Sequence, residues 1–509
     1  MKAATKMHQR HKKDWTAQVQ SFLCLFCIFV VQPRAFPLQD IGGTLAFQGQ
    51  DIIGGAAVIF KAPKRDLTGG AAAMMAIKRS SSRSNRSAQV ARSDRPPAPP
   101  TTGVPTTTTT APDRAEALNE QGTAHYDRGE FQQAAEAFRK SVSLKADDAD
   151  AFNNLGASLY QAGRYQEALE AFNNAVRLNP GDADALNNLG AVQYMLQQFD
   201  RASESFQKAV AAKPDSADAQ YNLGNAYYMT GRQREAVNAY GRAIALNKDY
   251  VEALTNLGSL RIALGEFSAA TTELSRSIRL RPNNPVAYNN LGYAYVKIAE
   301  TMDRTAAVQY LRQAVDAYKD ALRLKPDYVK AMNNLGAAYN KLGQYQEAAD
   351  LLLRATRAKP DFPEAHYNLG TALYNRGQFK DAVAEFQQAV RLRQDYADAY
   401  NSLGSALYKD QQFEPAIEAY KKTLALRPAN AETNNNLGTV YFRTKRYQEA
   451  AASFKEAIRL KPDYGEAHFN LALAYVGLND RKSALDEYNR LKKLDPKLAD
   501  EFYQRYIKK

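Results

Sequence analysis

One tripeptide governs most of this 509-residue chain. Asn-Leu-Gly, or a close variant, recurs with its last residue at Gly122, Gly156, Gly190, Gly224, Gly258, Gly292, Gly336, Gly370, Gly404, Gly438 and, as alanine, Ala472. Nine of the ten steps are 34 residues long; the other, Gly292 to Gly336, is 44 and marks a ten-residue insertion. A fixed period of this length means one helix-turn-helix unit per repeat, and such a unit cannot bury its own apolar face unless it stacks on a neighbour. The expected fold is all-α, a solenoid of eleven helical hairpins.

Each residue within the period has a steric reason. The second copy places Leu155, Gly156, Tyr160, Gly163, Ala168, Phe172, Ala175 and Pro180 at the recurring positions. Gly156 and Ala168 are small where the two helices of a hairpin cross, and Leu155 and Phe172 fill the space around that crossing. Pro180 stands after the second helix, which it cannot continue, as do Pro214, Pro282, Pro326, Pro360, Pro428, Pro462 and Pro496. The first helix carries the Asn-Leu-Gly. The second carries Ala-x-x-x-Phe/Tyr-x-x-Ala, as in Ala202, Phe206, Ala209 or Ala450, Phe454, Ala457, with apolar recurrence every three and four residues. Residues 497–509 set Leu498, Phe502, Tyr503, Tyr506 and Ile507 among charges, as expected of a helix that caps the open end. The insertion, about residues 297–306, is expected to lengthen the helices of the sixth unit or add a turn.

This spacing, over residues 115–498, resembles the tetratricopeptide repeat family. The resemblance implies a right-handed superhelix of helix-turn-helix repeats, eleven of them within 113–498, acting as a non-catalytic scaffold that binds a protein or peptide partner in its concave groove. Two residues before each glycine stands Asn154, Asn188, Asn222, Asn256, Asn290, Asn334, Asn368, Asn436 or Asn470, with Glu120 and Ser402 interrupting the series. Asparagine is unfavourable mid-helix, so the row needs an explanation. In the family this position points into the groove, where an amide offers a donor and an acceptor and would hold an extended polypeptide by its main chain. The alternative is that these amides bond neighbouring helices and stitch the stack; the two can coexist. The row is similar to the asparagine-lined superhelix that precedes the catalytic part of O-GlcNAc transferase, although nothing here resembles that enzyme's glycosyltransferase half. Tyr160, Tyr194, Tyr228, Tyr374 and Tyr408 either add contact area for the partner or pack between adjacent first helices. The family's carboxylate clamp would need lysine one residue before the ladder, and none occurs there; Asn153, Asn187, Asn333 and Asn435 are typical of that position.

No catalytic residue, cofactor or metal site is expected. The only cysteines are Cys24 and Cys27, which leaves the repeats without a disulfide framework or thiolate metal site. His125, His366 and His468 are the histidines of the repeats, and the last two share one packing register, as satisfied interface residues would. The recurrent acids Asp150, Asp184, Asp218, Glu252, Glu364, Asp398, Glu432 and Glu466 open first helices, where the helix dipole favours negative charge.

Charge separates the ends of the chain. Residues 1–112 hold 15 Lys/Arg against 5 Asp/Glu, whereas the remainder holds 52 against 49, so the repeats do not form a phosphate-tracking surface. Residues 1–35 order a basic stretch before the apolar run Phe22 to Val31, as in an export signal. Pro33 fits poorly with cleavage after Ala35, so an uncleaved membrane anchor is the first alternative and a cytoplasmic protein with a misplaced start the second. The expected location is periplasmic or secreted, with membrane contact only through an uncleaved segment. Residues 36–77 carry paired glycines but no phosphate-loop motif. Residues 78–112 turn Ser/Arg-rich and then Pro/Thr-rich, the composition of a disordered linker, and no aromatic is interleaved to stack a base, so no nucleic-acid partner is expected. Two functions fit this organisation: a scaffold gripping an extended polypeptide, or a substrate-recruiting or regulatory subunit of a separate enzyme such as a glycosyltransferase or an envelope-assembly complex.

Overall fold

The computed structural model describes residues 110–507; the expected export signal, the glycine-paired stretch and nearly all of the expected linker lie outside them. Among the described residues every regular element is helical. They fall into two compact units, one ending at Ala294 and the other starting at Tyr295.

The first unit stacks five hairpins: α1 (Ala111–Asp127) and α2 (Phe131–Leu144), α3 (Ala149–Gln161) and α4 (Tyr165–Leu178), α5 (Ala183–Met195) and α6 (Phe199–Ala212), α7 (Ala217–Met229) and α8 (Gln233–Leu246), α9 (Val251–Ala263) and α10 (Phe267–Leu280). The division between the units falls inside α11 (Pro285–Ala299). The second unit continues with α12 (Arg304–Leu324), α13 (Val329–Leu342) and α14 (Tyr345–Ala358), α15 (Pro363–Asn375) and α16 (Phe379–Leu392), α17 (Ala397–Lys409) and α18 (Phe413–Leu426), α19 (Ala431–Arg443) and α20 (Tyr447–Leu460), α21 (Gly465–Gly477) and α22 (Arg481–Leu494), and ends with α23 (Pro496–Phe502) and one π-helical turn, Tyr503–Ile507. Within each unit successive helices pack on one another, which is the arrangement of a helical-hairpin solenoid. A regular repeat has first and second helices of 13 and 14 residues, as in α3 and α4. In the sixth they grow to 15 and 21, so the insertion goes mostly into helix, and Asp303 caps the lengthened α12 by accepting from the Thr305 and Ala306 N–H groups.

The hairpin crossing is as tight as the small residues require. A Cβ added to Gly156 or Gly190 would lie 2.7 Å from the ring of Phe172 or Phe206, and both rings are buried. The last repeat solves the crossing differently. Ala472 replaces the glycine there, and the aromatic sixteen residues on, Tyr488, is only partly buried; its ring stacks 6.5 Å from Phe502 and lies 5.4 Å from Tyr503. Phe502, fully buried, also meets Phe469 edge-on, so α23 covers the apolar end of the stack.

Two junctions punctuate each repeat. Between first and second helices, Gly163, Gly231 and their equivalents take the left-handed conformation with φ near 78° and 75°, and Gln197, Gln411, Lys445 and Asn479 adopt it without being glycine. At the start of first helices Asp148, Asp182, Ser216 and Asn430 accept backbone N–H groups through their side chains. Where a tyrosine stands at that position no side-chain cap forms; a cation from the preceding turn lies over the ring of Tyr328 (Lys325), Tyr396 (Arg393) and Tyr464 (Lys461), and the Tyr250 hydroxyl donates to Asp218.

Candidate interaction face of the first helices

The asparagine register runs along the seam between successive first helices. Asn188 Nδ2 donates to Asn153 Oδ1 at 2.9 Å, Asn222 to Asn187 at 3.0 Å, Asn368 to Asn333 at 2.8 Å and Asn470 to Asn435 at 3.0 Å. Each donor is a ladder residue, and each acceptor is the residue just before the ladder in the preceding repeat. Tyrosine or threonine in place of that acceptor shifts the bond: Asn256 donates to the Tyr221 hydroxyl and to Asn225 Oδ1, and Asn290 to Ser259 Oγ at 2.9 Å. Asn154, Asn188, Asn222, Asn256, Asn290 and Asn334 are at most 4% exposed. For these six the expectation of an open amide row is corrected. They are interior residues, and the bonds of Asn188, Asn222, Asn256 and Asn290 tie one first helix to the next, because the neighbouring helix presents an acceptor where the amide would otherwise face a ligand. Asn470 is likewise buried.

The eighth to tenth repeats depart from this. Asn368, Asn436 and the interrupting Ser402 are half-buried rather than buried. Asn436 makes no hydrogen bond with its side chain, and the oxygen at the equivalent place in the preceding repeat, Asn401 Oδ1, accepts from Thr433 Oγ1 at 3.0 Å instead. This is the one stretch where the ladder face, among the described residues, is partly open over consecutive repeats.

The tyrosines one turn and a half further along close their own hairpins. Tyr160 meets Tyr165 at 5.3 Å, Tyr194 meets Phe199 at 5.1 Å, Tyr374 meets Phe379 at 5.4 Å and Tyr408 meets Phe413 at 6.0 Å, between ring centroids. Gln233 stands in the corresponding place after Tyr228. Burial pushes the phenols up, Tyr194 and Tyr374 to about 12, and Tyr228 and Tyr408 on the next repeats add to the rise. These residues are therefore largely committed to packing within and between hairpins.

Both shared-register histidines are clamps. His366 sets Nδ1 2.6 Å from Glu385 Oε2 and Nε2 3.0 Å from the Pro360 carbonyl; His468 sets Nδ1 2.7 Å from Glu487 Oε2 and Nε2 3.1 Å from the Pro462 carbonyl. All four partners are acceptors, so both bonds of each ring are made together only when both ring nitrogens carry protons. Burial alone would lower the pKa of His366, but the Glu385 hydrogen bond and the Pro360 carbonyl outweigh it and hold it above its ordinary value. The Glu487 hydrogen bond does the same for His468 against its burial, with help from Pro462. Three of the acids that open first helices pair with the arginine that follows the second helix of their own repeat: Glu252 with Arg281 at 2.6 Å, Glu364 with Arg393, and Asp398 with Arg427.

A register that sequence reasoning missed lies seven residues after the ladder. It reads Gln161, Met195, Met229 and Ala263 in the first unit, then Lys297, Lys341, Asn375, Lys409 and Arg443. Glu300 bridges Lys297 and Lys341 at 2.8 and 3.2 Å. The signal was available, since the step of 34 that aligned the asparagines also aligns these cations. Among the described residues no group of three or more His, Cys, Asp or Glu converges as a metal site would, and no helix is long and apolar enough to cross a membrane.

Family models described as tetratricopeptide repeat match residues 108–154, 119–183, 153–198, 217–250 and 465–498. Another, described as TPR repeat, matches 196–231, 258–298, 311–343, 338–377, 370–411, 405–445 and 440–479. None of these matches covers residues 299–310, where the sixth hairpin is lengthened. No curated protein matches the chain. Solved structures similar to it include YrrB, described as a TPR protein with an unusual peptide-binding site, at 24% identity over 38% of this chain and 95% of that one, with a TM-score of 0.33. They also include MamA from Desulfovibrio magneticus, at 25% identity over 33% and 96% with a TM-score of 0.32, and PilF of Pseudomonas aeruginosa, at 17% identity over 43% and 96% with a TM-score of 0.37.

Proposed function

The chain belongs to the tetratricopeptide repeat family and is built as a protein-interaction scaffold, and we propose that it binds an extended polypeptide across the first-helix face of its eighth to tenth repeats. The observation that carries this reading is the contrast along one register. The ladder is sealed through α3, α5, α7 and α9, whereas Asn368, Ser402 and Asn436 are half-buried, and Asn436 has an amide with both its donor and its acceptor unused. A mid-helix amide with no internal partner is unfavourable on propensity grounds, and a peptide main chain supplies the complementary pair. The sealed part of the ladder then serves another purpose, fixing the spacing of the first helices, which keeps a binding face preorganised and lowers the ordering cost of association.

The test is photo-cross-linking of the full-length protein with a random-sequence library of unstructured peptides, followed by mapping of the attachment sites. Cross-links are expected to concentrate on α15, α17 and α19. Substitution Asn436→Ala is expected to weaken binding roughly three- to tenfold, the worth of about one hydrogen bond. Attachment mainly on second helices, or no saturable binding by any member of the library, would overturn the reading.

A further inference from the structure

On an α-helix a residue and the one seven positions later lie two turns apart on the same face. The half-buried stretch of the ladder is therefore accompanied, on that face, by Lys409 and Arg443, while the first unit has no charge at the corresponding positions of α3, α5, α7 and α9. Both cations are half-buried. Burial lowers the pKa of the Lys409 ammonium, which shows a charge held where water solvates it incompletely. Arg443 makes no ion pair. The acids on the same face offset this charge only in part. Glu364 and Asp398 are matched by Arg393 and Arg427, which follow the second helices of their repeats, and the acid that opens α19 is the exposed Glu432. The face is thus a partly open amide and hydroxyl register flanked by two cations.

We propose that this face selects an acidic segment, its carboxylates taken up by Lys409 and Arg443 and its main chain by Asn436, an inference that rests on the polypeptide-binding reading above. Spacing sharpens the choice. Packed helices lie roughly 8–10 Å apart. A polyproline II strand advances about 9 Å in each three-residue turn, which returns every third side chain to the same side. An acidic residue at every third position therefore meets successive first helices in step, whereas the same charge placed irregularly does not. Half-burial of Arg443, which has no ion pair of its own, makes its contact stronger than a solvent-exposed ion pair, because the anion relieves an existing desolvation cost.

The experiment uses the full chain and fluorescein-labelled peptides followed by anisotropy: five Glu-Pro-Ser units, five Gln-Pro-Ser units, and a peptide of the first composition with its glutamates clustered at one end. The regularly spaced acidic peptide is expected to bind at least about tenfold tighter than the glutamine peptide. The double variant Lys409→Gln/Arg443→Gln should erase that advantage without changing the affinity of the glutamine peptide. Lys208→Gln, on an exposed site of α6, should change nothing. The reversed pair Lys409→Glu/Arg443→Glu should instead come to prefer a peptide of Lys-Pro-Ser units, a gain that a misfolded variant would not show. Equal binding of acidic and glutamine peptides overturns the acid preference while leaving the polypeptide-binding reading intact, and so does an advantage that survives the double variant. Equal binding of the clustered peptide, or equal competition by poly-uridylate, marks an unspecific basic surface and overturns it as well. If no peptide binds here or in the cross-linking library, both readings fall together.

Discussion

Asn188 and Asn436 occupy the same register and have opposite circumstances. The first is buried and donates to Asn153, while its own Oδ1 finds no partner; the second is half-buried and bonds to nothing. Substituting Asn188→Ala removes a donor to the buried Asn153 oxygen, which should cost about 1–3 kcal/mol, reduced by whatever is recovered from losing the unpaired Asn188 oxygen. Asn436→Ala should stay within about 0.5 kcal/mol, as substitutions outside a packed or bonded network do. Native-state hydrogen exchange of α3 and α5, compared with α17 and α19, reads both, because a long array need not unfold in one step. Equal effects at the two sites would refute the distinction drawn between the sealed and the open ladder. The sequence displayed all the asparagines in register but not which of them were spent. That depends on what stands one residue earlier in the preceding repeat, and the row Asn153, Asn187, Asn333, Asn435 was legible without its pairing being so. At the interruption, Ser402 brings no amide to the register and Asn401 accepts from Thr433 rather than from Asn436, a side-chain choice that periodicity alone does not reveal.

At the scale of the helical hairpin, the alternation of Gly and Phe across the crossing, the prolines after second helices and the lengthening of the sixth unit were all readable, since each follows from close packing or backbone geometry fixed by residue type. What was not readable is how neighbouring hairpins are fastened. His366 on α15 reaches the Pro360 carbonyl in the turn that precedes it and Glu385 on α16, with Arg391 nearby; His468 on α21 does the same with Pro462 and with Glu487, which also holds Arg490 at 2.6 Å. Each imidazolium thus ties a repeat junction to a second helix. A histidine whose pKa is raised on folding contributes stability that is complete below its unfolded value, near 6.5, and is lost as pH rises through the higher folded value. The clamped hairpins α15–α16 and α21–α22 are therefore expected to become less stable on going from pH 6 upward past neutrality, with little change at lower pH from this source. The double variant His366→Gln/His468→Gln should have a flatter profile of thermal midpoint against pH over that interval. A wild-type profile that rises across it, or an unchanged slope in the variant, would rule out the clamp as described.

The whole molecule follows from the fact that each hairpin owes its stability to its neighbours. Stability in such an array is close to a sum of local terms and nearest-neighbour interfaces, so the ends set how far fraying proceeds. At the C-terminal end the interface is made by α23 and the following turn, where Phe502 and Tyr506 bury Phe469, Leu473 and Leu491 beneath them. The substitution of alanine for glycine at residue 472 belongs to the same arrangement: Tyr488, only partly buried in its own hairpin, stacks on the terminal helix instead. Truncation after Asp495 should consequently cost more than the loss of a seven-residue helix. It uncovers aromatic and leucine side chains worth about 1.5–3 kcal/mol each when fully buried and releases Tyr488. The expected result is a graded loss of hydrogen-exchange protection, deepest in α21 and α22, smaller in α19 and α20 and absent from α15 and α16. Undiminished protection in α21 would mean that the last repeat is self-sufficient and that α23 is an appendage. Uniform loss throughout the second unit would mean that its hairpins unfold together instead of one after another.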